Sequence, residues 1–302
     1  MITAYINFHI YIIIHFMTIF HKYHGAGNDF IMINNLDKSV TLVPEQIKQF
    51  CDRNFGIGAD GVILLEPSDK ADCFMNYYNS DGTLAEMCGN GARCTAKFFL
   101  EQTSALGLAS RKIELNIETR AGIKNIKVNE DDTYSVNMGA PIFESPDFPT
   151  VTGLTCDKKI NIEGFDFNCV SMGNPHAVTI VEDLNKLDLK TIGPKVEIDE
   201  NFPNKINVEF VEKISEDYYK VKVWERGCGA TLACGTGACA VYSILNKLSP
   251  KPCLGEEITL EFPGGKLYLS ENEQGHVLLR GPATFVFKGE ISQLNLNSTV
   301  IK

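Results

Sequence analysis

Cys88-Gly-Asn-Gly-Ala-Arg93 and Cys234-Gly-Thr-Gly-Ala-Cys239 are the two stretches that decide the fold of this 302-residue chain. The second cysteine follows the first by 146 residues. Two further pairs of positions have the same offset: Gly27-Asn28 with Gly173-Asn174, and Asn79 with Glu225. One register kept at three separated places indicates an internal duplication. We therefore expect two homologous halves whose equivalent cysteines face each other across a pseudo-twofold axis.

Short β-type runs fill the sequence around these motifs. In the first half, strands are predicted over residues 18–23, 30–34, 62–65, 74–78, 112–118, 123–128 and 134–138. In the second half they are predicted over residues 167–170, 177–181, 208–211, 219–223, 258–262, 266–269 and 277–279. Helices are predicted over residues 45–52, from just after Cys88 to residue 100, and from just after Cys234 to residue 248. The pattern predicts an α+β fold of two pseudo-symmetric β-rich domains, each a sheet wrapped around a central helix.

The composition is that of a soluble globular protein, with 44% hydrophobic and 22% charged residues. The net charge is −10, and Lys and Arg are scattered, so we expect neither nucleic acid nor a membrane as a partner. Ten cysteines occur without a recognisable secretory signal, in a chain long enough to build a core without disulfides. These features predict reduced thiols and a cytoplasmic location.

The first sixteen residues, MITAYINFHIYIIIHF, are apolar and aromatic. They lack the basic region and cleavage site of a signal peptide, and they are too short to span a bilayer comfortably. Because the β-rich sequence begins at Met17, we expect translation to start there and residues 1–16 to be an untranslated N-terminal extension. An interfacial membrane anchor is the alternative.

The duplicated motif joins an anion site to a reactive thiol. Glycines let backbone N–H groups approach a ligand, and the first turn of a helix leaves N–H groups unpaired at the positive end of the dipole. The dipole is expected to lower the pKa of Cys88 and Cys234 toward neutrality. A thiolate and a thiol on opposite faces of a bound amino acid can invert its Cα in one passage. The motif pair therefore predicts an epimerase or racemase.

Other polar residues suit supporting roles. His176 and Glu225 can relay protons to the cysteines, and Arg226 can pair with a distal carboxylate. Neutral amides that hold an amino acid without quenching a thiolate are available at Asn28, Asn79, Asn174 and Asn207.

Six groups of motifs follow one another along the chain: His24-Gly-Ala-Gly-Asn-Asp-Phe30, Phe55-Gly-Ile-Gly-Ala-Asp-Gly61, Tyr78-Asn-Ser-Asp-Gly82 with Ala85-Glu-Met-Cys-Gly-Asn-Gly-Ala-Arg-Cys94, Gly173-Asn-Pro-His176, Asn207-Val, and Glu225-Arg-Gly with Ala233-Cys-Gly-Thr-Gly-Ala238. Together they resemble the diaminopimelate epimerase family. The resemblance runs from about Met17 to the C-terminus. Some members carry Gln at a substrate-contacting position where this chain has Gly61, so Gly61 is not among the predicted site residues.

The resemblance implies an isomerase that converts LL-2,6-diaminopimelate to the meso isomer in lysine and peptidoglycan biosynthesis, with no cofactor and no metal. It implies that Cys88 and Cys234 exchange protons with the substrate, assisted by His176 and Glu225. The substrate-binding residues that it implies are Asn28, Asn79, Gly89, Asn90, Asn174, Asn207, Arg226, Gly235 and Thr236.

The resemblance also implies the domain organisation. We expect residues 17–138, joined by a returning tail at about 288–302, to form the first half-domain and residues 139–287 to form the second. A homodimer is expected.

Other interpretations remain. Gly56-Ile-Gly-Ala-Asp-Gly61 matches a dinucleotide-binding pattern but leads into a strand rather than following one, so a turn is expected. No cysteine spacing fits a zinc site. The remaining cysteines are predicted to be small buried hydrophobes: Cys51, Cys73, Cys94, Cys156, Cys169, Cys228, Cys239 and Cys253.

Three alternative functions are open. A proline-racemase-like enzyme would differ around both cysteines, and a phenazine-biosynthesis-like isomerase would lack the cysteine pair. A thiol redox protein would use a Cys88–Cys234 disulfide, which is also compatible with reversible oxidative inactivation of an epimerase.

Overall fold

The structure is a computed structural model that describes residues 17–105, 113–144, 159–249 and 256–292. Over these ranges the chain forms seventeen β-strands, four α-helices and one short 3-10 helix. None of the helices in these ranges has both the length and the apolar character needed to cross a membrane. The predicted N-terminal extension, residues 1–16, lies outside the described residues.

The first half contains seven strands and two helices. Its strands are β1 (Met17–Gly25), β2 (Asn28–Asn34), β3 (Gly61–Glu66), β4 (Cys73–Asn79), β5 (Glu114–Thr119), β6 (Gly122–Val128) and β7 (Thr133–Gly139). Its helices are α1 (Pro44–Cys51) and α2 (Gly89–Ala105).

The second half contains ten strands and two α-helices. Its strands are β8 (Ile160–Ile162), β9 (Phe165–Ser171), β10 (Pro175–Val181), β11 (Asn207–Lys213), β12 (Tyr218–Glu225), β13 (Gly229–Thr231), β14 (Ile258–Phe262), β15 (Gly265–Glu271), β16 (Val277–Pro282) and β17 (Thr284–Ser292). Its helices are α3 (Leu189–Glu197), α4 (Gly235–Leu248) and the 3-10 helix at Leu184–Lys186.

Strand pairing runs in the same order in both halves. From β1 to β7, successive pairs are antiparallel, parallel, antiparallel, parallel, antiparallel and antiparallel. From β9 to β16 the order is identical, with β13 added as a hairpin strand on β12. Helices α1 and α3 connect the first parallel pair of each half, and α2 and α4 connect the second. The predicted α+β fold with two pseudo-symmetric halves is confirmed.

Two ladders cross between the halves of the sequence. Strand β7 pairs with β16, with Val136 beside Leu279 near the middle of the ladder. Strand β17 pairs antiparallel with β1 along its whole length, from Thr284 beside His24 to Ser292 beside Met17. The chain therefore returns to its first strand after completing the second half.

The central helices α2 and α4 are buried nearly all round. In α4, Ala238, Cys239, Ala240 and Val241 are fully buried on successive positions. A helix that is apolar on every side can be stable only inside a core. The small side chains of its first turns let the sheet approach closely, so each half wraps its sheet around one helix that begins at a cysteine.

Helix α3 was not predicted because its sequence contains two residues that disfavour helices. Gly193 and Pro194 both lie inside it. The helix forms because the Asp188 side chain caps it, accepting the Thr191 N–H at 3.3 Å. A methyl group on Gly193 would lie 2.6 Å from the Trp224 ring, so the glycine lets the helix pack against β12.

Candidate active site

Each cysteine of the pair stands at the start of a central helix. The Sγ atom of Cys88 accepts the N–H of Gly91 at 3.4 Å. Cys234 is the N-cap of α4, and its Sγ accepts the N–H of Gly237 at 3.3 Å. Both sulfur atoms therefore lie at the positive end of a helix dipole, as the motif predicts.

The two helix starts meet. A methyl group on Gly235 would lie 3.5 Å from the Cα of Gly89 and 3.7 Å from the backbone nitrogen of Asn90. The Asn90 amide donates to the Ala233 carbonyl at 3.4 Å. Leu279 packs against both Gly89 and Gly235. The N-terminal turns of α2 and α4 thus bring their unpaired N–H groups and their cysteines to one place.

On the Cys88 side, the neighbouring groups are amides. Asn28 Oδ1 accepts from Cys88 Sγ at 3.4 Å and from Asn90 Nδ2 at 3.2 Å. Asn28 Nδ2 donates to Asp60 Oδ2 at 2.8 Å. The buried Arg93 donates to Asn90 Oδ1 at 2.8 Å. Asp60 and Arg93 therefore fix the two amides that face the thiol.

On the Cys234 side, the neighbours include ionisable groups. Thr236 Oγ1 lies 3.5 Å from Cys234 Sγ and accepts from Asn174 Nδ2 at 3.2 Å. Asn174 Oδ1 lies 3.0 Å from Nε2 of His176. The other ring nitrogen, Nδ1, lies 2.7 Å from Glu209 Oε1. A chain of hydrogen bonds thus runs from the buried Glu209 carboxylate through His176 and Asn174 to Thr236, which lies beside the Cys234 thiol.

Glu225 completes this side. It accepts from the Thr231 hydroxyl, and it lies close enough to the Cys234 thiol for the two groups to influence each other's pKa. Burial raises the pKa of Glu225 above its usual range. Asn207 Oδ1 accepts the backbone N–H of Arg226 at 3.0 Å, which holds the turn that follows Glu225.

Two of the predicted substrate-binding residues make hydrogen bonds outside the group around the cysteines. The Asn79 amide donates to Thr83 Oγ1 at 3.0 Å, within its own turn. The exposed Arg226 guanidinium donates to the Asn204 carbonyl at 3.3 Å. Asn207 lies one step away, where it holds the turn after Glu225, and the other predicted residues gather around the two helix starts.

Gly61 has no room for a side chain. A methyl group there would lie 2.5 Å from the Tyr78 carbonyl oxygen and 2.6 Å from the ring of Tyr77. The Tyr77 ring therefore occupies the space into which a Gln would project. Burial, followed by the negative charges of Cys88, Asp60 and Glu225, raises the pKa of Tyr77 well above its usual range.

The expected lowering of the two thiol pKa values is wrong. Burial raises the pKa of Cys88 to about 11, although the N–H of Gly91 works in the opposite direction. Burial, followed by the negative charges of Glu225 and Glu209, raises the pKa of Cys234 well above its usual range. The loss of hydration on burial destabilises the two thiolates more than the helix starts stabilise them.

Most of the remaining cysteines are buried, as predicted, namely Cys51, Cys73, Cys94, Cys169 and Cys239. Cys228 is exposed, which corrects the prediction, because it lies in the turn between β12 and β13. Cys156 and Cys253 lie outside the described residues. Across the part of the chain that the structure describes, no group of three or more His, Cys, Asp or Glu residues could hold a metal ion.

Glu209, Asp60 and Arg93 contact predicted site residues, and the sequence interpretation missed all three. The 146-residue offset contained a signal for Glu209, because it aligns Phe30 with His176 and Ile63 with Glu209. An apolar pair in one half thus corresponds to an ionisable pair in the other.

The sequence comparisons with known proteins agree on one family. A sequence profile described as diaminopimelate epimerase matches residues 20–144 and 168–286. The chain is 45% identical over 284 residues to a diaminopimelate epimerase of Gloeothece citriformis, covering 89% of this chain and 97% of that protein. It is 43% identical over 283 residues to a diaminopimelate epimerase of Methanococcus maripaludis, covering 90% of this chain and 99% of that protein.

Solved structures share the fold at low identity. A PhzF-family phenazine biosynthesis protein of Bacillus anthracis matches with a TM-score of 0.65 at 17% identity, over 91% of this chain and 99% of that one. A hydroxyproline epimerase of Agrobacterium vitis matches with a TM-score of 0.65 at 15% identity, over 91% and 92%. These likenesses show the architecture alone.

Proposed function

The chain belongs to the diaminopimelate epimerase family, and from this we propose that it interconverts LL- and meso-2,6-diaminopimelate without a cofactor or a metal. The observation that carries the proposal is the meeting of two helix starts, each with a cysteine and a glycine-rich first turn. Homology to named epimerases supports the substrate. The reaction belongs to lysine and peptidoglycan biosynthesis.

The proposed reaction moves one proton off Cα and another onto its opposite face. The substrate carboxylate lies against the N–H groups of Gly89, Asn90, Gly235 and Thr236. As the thiolate of one cysteine removes the Cα proton, the electron pair moves into the carboxylate, and these N–H groups stabilise the resulting enediolate. The thiol of the other cysteine then protonates Cα from the opposite side. The cysteines exchange protonation states, and no other group is consumed.

The remaining residues support this transfer. Glu225 accepts or returns a proton on the Cys234 side, because its carboxyl group lies beside the Cys234 thiol. His176 assists from behind the Asn174 amide, whose hydrogen bonds to Nε2 and to Thr236 connect the ring to the surroundings of the thiol without themselves carrying a proton. Asn28 and Asn207 hold the reacting amino-acid group. Asn79 and Arg226 bind the distal end of the substrate. To do so, Asn79 gives up its hydrogen bond to Thr83, and Arg226 gives up its hydrogen bond to the Asn204 carbonyl.

Incubation of the purified protein with LL-diaminopimelate in D2O tests the proposal. We expect deuterium at Cα together with formation of the meso isomer, followed by mass spectrometry and chiral chromatography. Proline and hydroxyproline, tested in parallel, are expected to remain unlabelled. Labelling of proline with none in diaminopimelate would show that the substrate is wrong.

We further propose that the enzyme is a cytoplasmic homodimer. Exposed apolar side chains on the paired strands β1 and β17 support self-association, among them Ile19, Phe285 and Phe287. Light scattering gives the mass in solution, and a monomer would refute the dimer.

We also propose that the half-domains cover residues 17–138 with the returning tail, and 139–287. The pairing of β17 supports starting that tail at Thr284, slightly before the predicted 288.

A further inference from the structure

The two helix starts rest on chemically different supports. Behind the first turn of α2, a methyl group on Gly91 would lie 3.2 Å from Cδ1 of Ile63 and 3.5 Å from Cζ of Phe30. Both side chains are fully buried. The internal repeat places His176 and Glu209 at the equivalent positions behind α4. The duplication has therefore kept the backbone and replaced an apolar pair with an ionisable one.

The His176 and Glu209 side chains have no exposed surface, and Nδ1 lies 2.7 Å from Oε1. Oε1 also lies close to the helix, because a methyl group on Gly237 would come within 2.5 Å of it. Glu209 Oε2 is buried and has no hydrogen-bond partner within the described residues. A buried carboxylate needs a strong donor, and the imidazole N–H is the donor that it meets.

Other ionisable groups face the pair from three neighbouring elements. Glu225 lies at the end of β12, Cys234 begins α4, and Cys169 lies on β9. Each of these three groups is neutral when protonated and negative when ionised. None of these three groups is a cation, so within the described residues of this cluster the imidazole N–H is the hydrogen-bond donor that Glu209 meets.

We propose that Glu209 is a positioning residue that keeps Nδ1 of His176 protonated throughout the reaction. With Nδ1 held by Glu209, Nε2 is the nitrogen at which the ring gains or loses a proton. Nε2 lies 3.0 Å from Asn174 Oδ1, which accepts its proton in the doubly protonated ring, and the Asn174 amide must turn its Nδ2 toward Nε2 when that proton leaves. A carboxylate that fixes the tautomer of a histidine is an established way to orient a proton carrier. The inference rests on the proposed function for its kinetic consequence but not for the state of the ring.

The ring state can be measured without substrate. In protein labelled with ¹⁵N-histidine, the His176 signals are assigned by their loss in His176→Gln. We expect Nδ1 to carry a proton across the pH range in which the protein stays folded. In Glu209→Ile, which copies the residue at the equivalent position in the first half, we expect a mixture of the two tautomers. An unprotonated Nδ1 in the parent protein would overturn the proposal.

Kinetics with matched variants provide a second readout. Glu209→Ile is expected to lower kcat at least about tenfold, with KM changed much less. Glu209→Gln keeps an oxygen that can accept from Nδ1, so it should retain the tautomer and lose less activity. Glu212→Gln, on the same strand, is the control, because that carboxylate accepts the Leu184 N–H at 2.8 Å, away from His176. It should match the parent.

The outcomes separate the two proposals. A parent protein without epimerase activity but with protonated Nδ1 would refute the function and keep the pairing. A folded Glu209→Ile variant with parental tautomer and parental kcat would refute the role of Glu209. If Glu209→Ile does not fold, the ¹⁵N-histidine spectrum of the parent protein and the kinetics of Glu209→Gln decide the role of Glu209.

Discussion

Arg93 and Asn90 are hydrogen-bonded within the first turn of α2, with Nη2 of the guanidinium 2.8 Å from Oδ1 of the amide. Arg93 is fully buried, and its other bonds go to the carbonyls of Gly89 and Pro282. Asn90 in turn donates to Asn28, which accepts from Cys88. A buried cation is thus connected to the Cys88 thiol through two amides.

The alkylation rate of Cys88 should report its raised pKa. With a pKa of about 11 instead of about 9, little thiolate exists at neutral pH. Below the pKa, the thiolate fraction and therefore the iodoacetamide reaction rate should rise about tenfold per pH unit. Mass spectrometry of the Cys88 peptide in Cys228→Ala protein measures the rate without interference from the exposed thiol. A plateau between about pH 8 and 9 would contradict burial as the dominant effect.

Arg93→Met should raise the pKa of Cys88 further, because the positive charge of Arg93 lowers it. The alkylation curve should move to higher pH. The free energy of unfolding should also fall by about 1–3 kcal/mol, since buried acceptors lose their donor. Urea denaturation measures the second effect. Lys97→Met, one turn later on α2, is the control, because Lys97 pairs with Asp132 at the surface. An unshifted curve in Arg93→Met would refute the coupling.

Cys88→Ala and Cys234→Ala should each lower kcat for epimerisation at least about a thousandfold. Each variant lacks the acid or the base for one face of Cα, while the helix N–H groups that bind the carboxylate remain. Chiral chromatography of the product gives the rate. Cys228→Ala should retain parental activity, because Cys228 lies in an exposed turn. Activity in the double variant Cys88→Ala/Cys234→Ala would exclude the two-thiol mechanism.

Gly61→Ala should lower the free energy of unfolding by about 1–3 kcal/mol, because the added methyl meets the Tyr78 carbonyl and the Tyr77 ring. In a Tyr77→Leu background the same change should cost less, since the ring edge is gone. A thermodynamic cycle from urea denaturation measures the coupling. Strictly additive losses would show that Tyr77 does not fill the space beside Gly61.

The sequence predicts those parts of the fold that local pattern determines. Strand β3 is a continuous buried apolar run, and α4 begins at Gly235, inside the glycine-rich motif. Strand β17 was missed because Phe285, Val286 and Phe287 are all substantially exposed, so no single buried face marks it. Its position depends on pairing with β1 at the other end of the described chain, which no local pattern encodes.

The same distinction applies to the site. The duplicated motif reveals Cys88 and Cys234 because both lie inside it. Glu209 reaches His176 and Tyr77 reaches Gly61 from neighbouring strands, and in sequence both look like ordinary members of strands β11 and β4. The thiol pKa values also depend on burial by distant segments, which outweighs the local effect of the helix dipole.

The pairing of β1 with β17 constrains the order of folding. During synthesis, β1 emerges early and β17 is the last described strand to emerge, so that edge of β1 has no partner until the second half has been made. Contacts this distant in sequence close slowly and leave a strand edge open to other chains. The first half should therefore be completed only after the second half has been synthesised, and loss of β17 should impair the first half before the second.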